Sequence, residues 1–441
     1  MQRSQRAEFN HALNLAVELA NRRSSSVLAY FGIMESYPGA NLRHFRFMVE
    51  GLAETVRRLA DRRVGMVARR EDPCRGIVAL AEETGASAVV ADVGYLPHHR
   101  RWRRLAAEAL PVQMVAVETD AIVPVGLVSG KEEYAARTIR PKINRLLPVF
   151  LKRPQEPAPK TGSHPHGLPG QDLLDPAPLL EGLKIDRSVP PSPLIRGGRS
   201  QALRRLEDFL DRDLHRYHKS ARDPVADATS RLSPYLHFGQ ISPLEVALKV
   251  GARSGPGPEA FLEQLVVRRE LALNMTFHNG SFRRIGCLPD WARRTLELHA
   301  DDRRQYVYDL QSLEEASTHD PYWNAAQMEM VSSGRMHNYM RMYWGKKILE
   351  WSPSPAEALR RINLLNDRWE LDGRDPSGYA GALWCLGKHD RAWKERPVVG
   401  KVRWMSSAGL ERKFDMAAYV EKVDALASGA APDDTSDGGA D

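Results

Sequence analysis

The sequence predicts two domains of different class: an α/β N-terminal domain with a Rossmann-like parallel sheet, and a larger all-α C-terminal domain. Three observations carry this. Short apolar runs alternate with amphipathic helical patterns over the first part of the chain, a Pro- and Gly-rich stretch follows, and from Leu203 onward apolar residues recur at three- or four-residue spacing. The boundaries drawn from this pattern are 1–126 for the α/β domain, 127–198 for an interdomain linker, 199–423 for the helical domain and 424–441 for a disordered acidic tail.

In the first domain, Phe9, Leu13, Ala16, Val17 and Ala20 place a helix over Arg6 to Arg23. Strands are expected at Val27–Phe31, Val64–Val67, Ala88–Val93 and Met114–Val117, with helices at Phe45–Arg62, Pro73–Thr84 and Trp102–Leu110 between them. No GxGxxG loop follows a strand, so the dinucleotide fingerprint is absent. The basic run His98 to Arg104 reads as a solvated helix start in preference to a nucleic-acid contact.

From Lys152 to Arg199 the chain is irregular, with Pro154, Pro157, Pro159, Pro165 and Pro169 near its start. Leu203, Leu206, Leu210, Leu214 and Tyr217 then open the helical domain. In the segment Thr229 to Gly239, Ser233 is the expected N-cap and Pro234 the first helical residue. Its hydroxyls and free backbone N–H groups form either an anion site or a plain helix cap. A capping box at Ser242–Glu245 opens the next helix, and another helix runs from Pro258 to Asn274 and carries Gln264.

The stretch from Thr318 to Pro376 holds four of the nine tryptophans. Thr318 or Asp320 caps a helix that starts at Pro321, carries Trp323 and stops at Gly334. A second helix runs from His337 to Trp351, where Trp344 and Trp351 lie two turns apart, ~10 Å along the axis. The indoles form either an aromatic core or a chain suited to electron hopping. Arg341 falls on a buried face and needs a carboxylate, with Asp367, Asp372 and Asp375 on offer. Asn366 is placed just past a third helix, capped by Ser354.

Composition sets bounds on partners and location. The net charge is +7 although the last ten residues hold four aspartates, so the folded body is more basic than the total and a polyanion is a plausible partner. Cys74, Cys287 and Cys385 contain no CxxC pair, which argues for a reducing compartment and against zinc. No apolar run reaches the ~18 residues of a membrane span, and MQRSQRAEF is not a signal peptide. A soluble intracellular monomer, cytoplasmic or nucleoid-associated, is expected.

The motifs WNAAQ (Trp323–Gln327), MHNYMRMYWGKKILEW (Met336–Trp351) and LDGRDPSGY (Leu371–Tyr379) resemble, in this order, those of the class II cyclobutane-pyrimidine-dimer photolyases of the photolyase–cryptochrome superfamily. MQRSQRAEFNHAL and YAARTIRPKINRLLP extend the resemblance into the first domain. It implies light-dependent repair of cyclobutane pyrimidine dimers in UV-damaged DNA, by electron transfer from excited FAD in its FADH− form to a flipped-out dimer. The alternative on the same scaffold is a non-repairing, cryptochrome-like flavin photoreceptor. The resemblance makes Trp344, Trp323 and Trp351 an electron relay to the flavin, Trp344 nearest. It sets Asn366 opposite flavin N5 and the Arg341–Asp372 pair beside the ring.

By the same resemblance, Tyr217, Thr229, Ser230, Leu232, Ser233 and Asp375 contact the cofactor, with TSRLSPYLHFG (Thr229–Gly239) holding its pyrophosphate. Gln264 stands where the family carries a glutamate that hydrogen-bonds the dimer carbonyl; an amide can donate there but cannot supply a proton. Asp223, after Arg222, replaces the usual asparagine, and a weaker phosphate contact on DNA is expected. Met342, Trp384 and Arg403 match positions that line the lesion pocket or enter the duplex gap. An antenna chromophore in the N-terminal domain is implied in general, its identity open. Family members usually carry a short apolar strand before the segment matching MQRSQR, so either the natural start lies upstream of Met1 or the sheet lacks a strand, and the first is the expectation.

Overall fold

The computed structural model describes residues 1–163 and 167–429. Pro165 of the Pro-rich stretch, and residues 430–441 of the predicted tail, lie outside the described residues.

Strand β1 (Leu28–Gly32) pairs in parallel with β2 (Gly65–Arg69), and β3 (Val89–Asp92) with β4 (Met114–Val117). Parallel neighbours need a crossover, and the helices Leu42–Asp61 and Pro97–Ala109 supply one for each pair. All four expected strands form, but the expected single sheet does not: they make two separate two-stranded pairs. A cavity lined by Tyr30 and Phe31 on one side and Val89, Val90 and Ala91 on the other lies between the pairs. The backbone of residues 2–4 joins neither edge as a strand. The Asp92 carboxylate accepts the N–H groups of Gln2, Arg3 and Ser4.

The first helix begins at His11, capped by Asn10, and not at Arg6. Arg6 is buried in the preceding non-helical segment, where its guanidinium donates to the carbonyls of Phe9, Thr119 and Gly239. A buried arginine must satisfy its five donors, and this segment is where acceptors are found. The basic run forms the expected solvated helix start at Arg100, Arg101 and Arg104, which are exposed, but not at its two histidines. Pro97 opens the helix, and His98 and His99 turn inward to the Tyr37 hydroxyl at 3.1 and 3.0 Å.

Residues 127–198 carry the helices Ala136–Phe150 and Pro176–Gly182. Leu173, Leu179, Leu180 and Leu183 are buried against Phe31, Ile33 and Phe45, so part of this stretch packs as an outer layer of the first domain. Of the large buried clusters in the helical domain, one holds Trp323, Trp344 and Trp351, each no more than 2% exposed. Truncating such a side chain to alanine costs ~3–5 kcal/mol. The helix expected at Pro258–Asn274 is longer and irregular: α-helical at Pro256–Leu262, π-helical at Glu263–Arg268 and α-helical again to His278. The last helix, Met416–Ala427, runs past residue 424, where the tail was expected to begin.

Charged ties join the domains. Arg3 reaches Asp120 and, from the helical domain, Asp375, each at 3.0 Å; Arg269 returns to Asp120 at 2.6 Å. Among the described residues no helix is long and apolar enough to cross a membrane.

Candidate active site

A cleft enclosing about 1640 Å³ of open space, mouth included, opens in the helical domain. Its wall takes Tyr217, Thr229, Ser230, Leu232, Ser233, Gln264, Arg341, Met342, Asp372, Asp375 and Trp384 from segments more than 160 residues apart in sequence. Asn366, Arg222, Asp223, Arg403 and the three relay tryptophans stand outside that wall.

One end of the cleft is built for an anion. The helix there starts at Ser233 itself, after Leu232, and has only five residues, so Ser233 is not its N-cap. Arg231 at φ +52° ends the preceding turn, and Leu232 is already in a helical conformation. One turn gives a weak dipole, and side chains therefore carry the charge. Arg335 reaches Thr229 Oγ1 at 2.9 Å and Asp227 Oδ2 at 2.9 Å, while Thr229 donates to Asp227 Oδ1 at 3.0 Å. Burial opposes ionisation of Asp227, but Arg335 and then Arg231 hold its carboxyl well below the usual range. Sequence reasoning missed Asp227 and Arg335; their only signal was adjacency to Thr229 and Gly334.

At the other end Arg341 bonds two carboxylates, Glu370 at 2.7 Å and Asp372 at 3.2 Å. Asp372 was expected, Glu370 was not. A glutamate just past a helix end reads as solvated, yet Glu370 is 1% exposed and also accepts the Met336 N–H at 3.0 Å. Burial, then the charges of Asp372 and Glu329 against that of Arg341, leave its carboxyl raised to about 8. The other two candidates serve elsewhere: Asp367 accepts from the Arg374 N–H and Tyr379 hydroxyl, and Asp375 pairs with Arg3 and His237.

Asn366 lies inside the Pro355–Trp369 helix, not past it, because no Gly or Pro interrupts the chain before Gly373. It is buried behind the wall residue Gly378, where an added Cβ would sit 3.1 Å from its Nδ2. A side chain at 378 would crowd that amide.

Behind the Arg341 end the indoles stack. Trp323 and Trp344 are 6.3 Å apart between centroids and 9° from parallel; Trp351 meets Trp323 at 5.6 Å and 64°. Trp344 donates to Gln327 Oε1 at 2.9 Å, and Trp323 to the Trp344 carbonyl at 3.0 Å, which fixes both rings. Asp320, as N-cap, and Gly334, at φ +80°, hold the helix that carries Trp323.

On the open side, Gln264 projects from the π-helical segment, and the Arg268 guanidinium lies 5.9 Å from the Trp384 ring centroid. Sequence reasoning gave Arg268 no role. Arg403 instead covers Trp393 at 5.0 Å, outside the cleft, and Arg222 is exposed. Asp223 accepts the N–H groups of Val225 at 2.9 Å and Ala226 at 3.3 Å, so its carboxylate closes its own turn.

A sequence profile described as DNA photolyase matches residues 1–160. The deoxyribodipyrimidine photo-lyase of Methanothermobacter thermautotrophicus is 46% identical over 97% of this chain and 94% of its own length. That of Potorous tridactylus is 40% identical over 96% and 80%. Among solved structures, an archaeal photolyase from Sulfolobus tokodaii with two FAD molecules superposes with a TM-score of 0.70 at 17% identity, covering 97% of this chain and 92% of that one, which shows a shared fold. Near-full-length identity at this level, with the cleft and its charged ends in place, makes this chain a member of the DNA photolyase family.

Proposed function

We propose that the protein is a light-driven deoxyribodipyrimidine photo-lyase of the class II type, which splits cyclobutane pyrimidine dimers in DNA. The observation that carries this reading is one cleft with a charged end at Thr229–Arg335, a cationic ring site at Arg341, and Gln264 with Trp384 at its mouth. The residues fit FAD: the cleft is large enough for a dinucleotide, hydroxyls and arginines face the pyrophosphate end, and Gly378 exposes Asn366 toward the ring. Bound in its fully reduced anionic form, FAD supplies a photoexcitable one-electron donor to the dimer and recovers the electron after ring opening.

The chain's own residues do the rest. Thr229, Ser230 and Ser233, with Arg335 behind them, hold the pyrophosphate; Tyr217, Leu232 and Asp375 complete the cofactor wall. Arg341, oriented by Glu370 and Asp372, sets positive charge beside the ring, and Asn366 offers an amide to it. Trp384 and Met342 receive the flipped dimer, a lesion already poorly stacked in the duplex. Gln264 donates an amide hydrogen to its carbonyl. Arg222 and Arg403 meet the DNA outside the cleft. Trp344, Trp323 and Trp351 keep the cofactor reduced and take no part in each turnover.

The test is dimer loss from a dimer-containing oligonucleotide with reduced flavin-loaded protein, in light and in darkness. Repair confined to the illuminated sample supports the proposal, and equal dimer content in both would overturn it.

A further inference from the structure

The aromatic contacts do not end at Trp351. Its indole is 2% exposed, and two further rings lie on it: Tyr308 at 5.4 Å and 73°, and His319 at 5.2 Å and 61°. The Tyr308 N–H donates to the Trp351 carbonyl at 3.3 Å, which fixes the pair through the backbone. Tyr308 is half-buried, whereas His319 is exposed. This group is the first place along the indole stack where an aromatic side chain reaches solvent.

The hydrogen bonds at the phenol are directional. The His319 backbone N–H donates to the Tyr308 oxygen at 3.0 Å. The phenolic oxygen also lies 2.7 Å from His319 Nδ1. With the imidazole in its Nε2–H tautomer, Nδ1 is the acceptor for the phenolic hydrogen. A phenol gives up an electron readily only if its proton leaves at the same time, and here the acceptor is in place. On the other side of Trp351 the Lys347 ammonium lies 5.6 Å from its ring centroid, where it disfavours a positive charge on that indole.

We propose that Tyr308 is the terminal electron donor of the tryptophan relay and that His319 is its proton acceptor. This rests on the relay reading of Trp344, Trp323 and Trp351 above. One electron passes from Tyr308 to the oxidised Trp351 indole and restores it. The phenolic proton crosses to His319 Nδ1, and the imidazolium releases its Nε2 proton to water. The electron lost by Tyr308 balances the one taken, at the head of the relay, by photoexcited oxidised flavin, the oxidant of the sequence. An external thiol later returns an electron and a proton to the tyrosyl radical. Its location moves the oxidised site from a buried indole to a solvent-facing phenol, where such a reductant can meet it.

Flash photolysis of the flavin-loaded protein, followed by transient absorption and electron paramagnetic resonance, tests this directly. In the unsubstituted protein a tryptophan radical should give way to a tyrosyl radical, more slowly in D2O than in H2O. Tyr308→Phe should remove the tyrosyl signal and leave a tryptophan radical as the last oxidised species, while Tyr306→Phe should leave the tyrosyl signal in place. His319→Phe should keep the ring contact yet slow tyrosyl formation about a hundredfold, the scale of a positioned proton acceptor. Tryptophan radicals without any tyrosyl radical, or a tyrosyl signal that survives Tyr308→Phe, would overturn the inference and leave the relay standing. Absence of tryptophan radicals in every protein would overturn both.

Discussion

Trp323 lies parallel to Trp344 at 6.3 Å, and its indole N–H donates to the Trp344 carbonyl at 3.0 Å. The helices that carry them are therefore joined by stacking and by a buried hydrogen bond. Ring geometry is set by the backbone of the neighbouring helix, which suits a relay whose function depends on fixed separation. Trp344→Phe should retain the packing at a cost of about 1–3 kcal/mol in stability. Photoreduction of oxidised flavin should be largely lost in this variant, while repair by chemically reduced protein persists. Loss of both in equal measure would refute the relay assignment.

Gln264 lines the cleft at the position where the resemblance expects a glutamate. Gln264→Glu adds a group that can share or supply a proton at the dimer carbonyl. A hydrogen bond to a charged partner gains ~1 kcal/mol over a neutral one, so repair yield per absorbed photon should rise about fivefold. An unchanged yield under single-turnover illumination would show that the amide already suffices.

One guanidinium, Arg341, faces two carboxylates, Glu370 and Asp372. Burial raises Glu370 to about 8 from 4.5, and burial raises Glu270 to about 8 as well. For a carboxyl raised on folding, the folded state keeps a proton that the unfolded chain has already released above about 4.5. Stability from that proton is therefore lost as pH rises through about 8. The histidines with lowered values, such as His389 at about 4, act below pH ~6.5, but the lowered Met1 amino group and the raised His299 also act above it, so the reading is the difference between the protein and its Glu370→Gln variant. Urea unfolding from pH ~6.5 upward should show stability falling by up to ~1.4 kcal/mol per pH unit for each group as far as about pH 8 and levelling off above it. Glu370→Gln should remove about half of that slope, and an unaltered slope would count against a protonated Glu370.

Trp384 and Arg403 should separate lesion recognition from duplex binding. Trp384→Ala removes a stacking surface in the cleft, so affinity for dimer-containing DNA should fall by ~1–3 kcal/mol with little change for undamaged DNA. A parallel loss on both DNAs would place Trp384 outside the lesion pocket.

Arg403 lies outside the cleft, over Trp393, among basic residues of the 391–413 stretch. Arg403→Ala should weaken damaged and undamaged DNA alike and lower the salt dependence of binding by about one phosphate contact. Titrations at two or more salt concentrations would read this; a loss specific to the lesion would contradict it.

Features set by short-range rules were legible in the sequence. Asp320, Pro321 and Gly334 delimit the Trp323 helix because caps, N1 prolines and left-handed glycines act within a turn of themselves. The four strands and the residues of the cleft wall follow from local patterning and from motifs. What folding alone decided are choices among distant partners. Arg341 took Glu370 as well as Asp372, because burial makes the nearest available carboxylate the partner whatever its place in the chain. Arg335 is brought to Thr229 only by folding, where Asp227, 108 residues away in sequence, pairs with it and fixes its guanidinium. The strands form two pairs, and the backbone of residues 2–4 is hydrogen-bonded to Asp92 from the far end of one of them, contacts that spacing does not announce. Residue spacing determined the stack of Trp344 and Trp351 on one helix; only the packing of a second helix placed Trp323 between them, and only a loop folded back from Tyr306 to His319 laid further rings on Trp351.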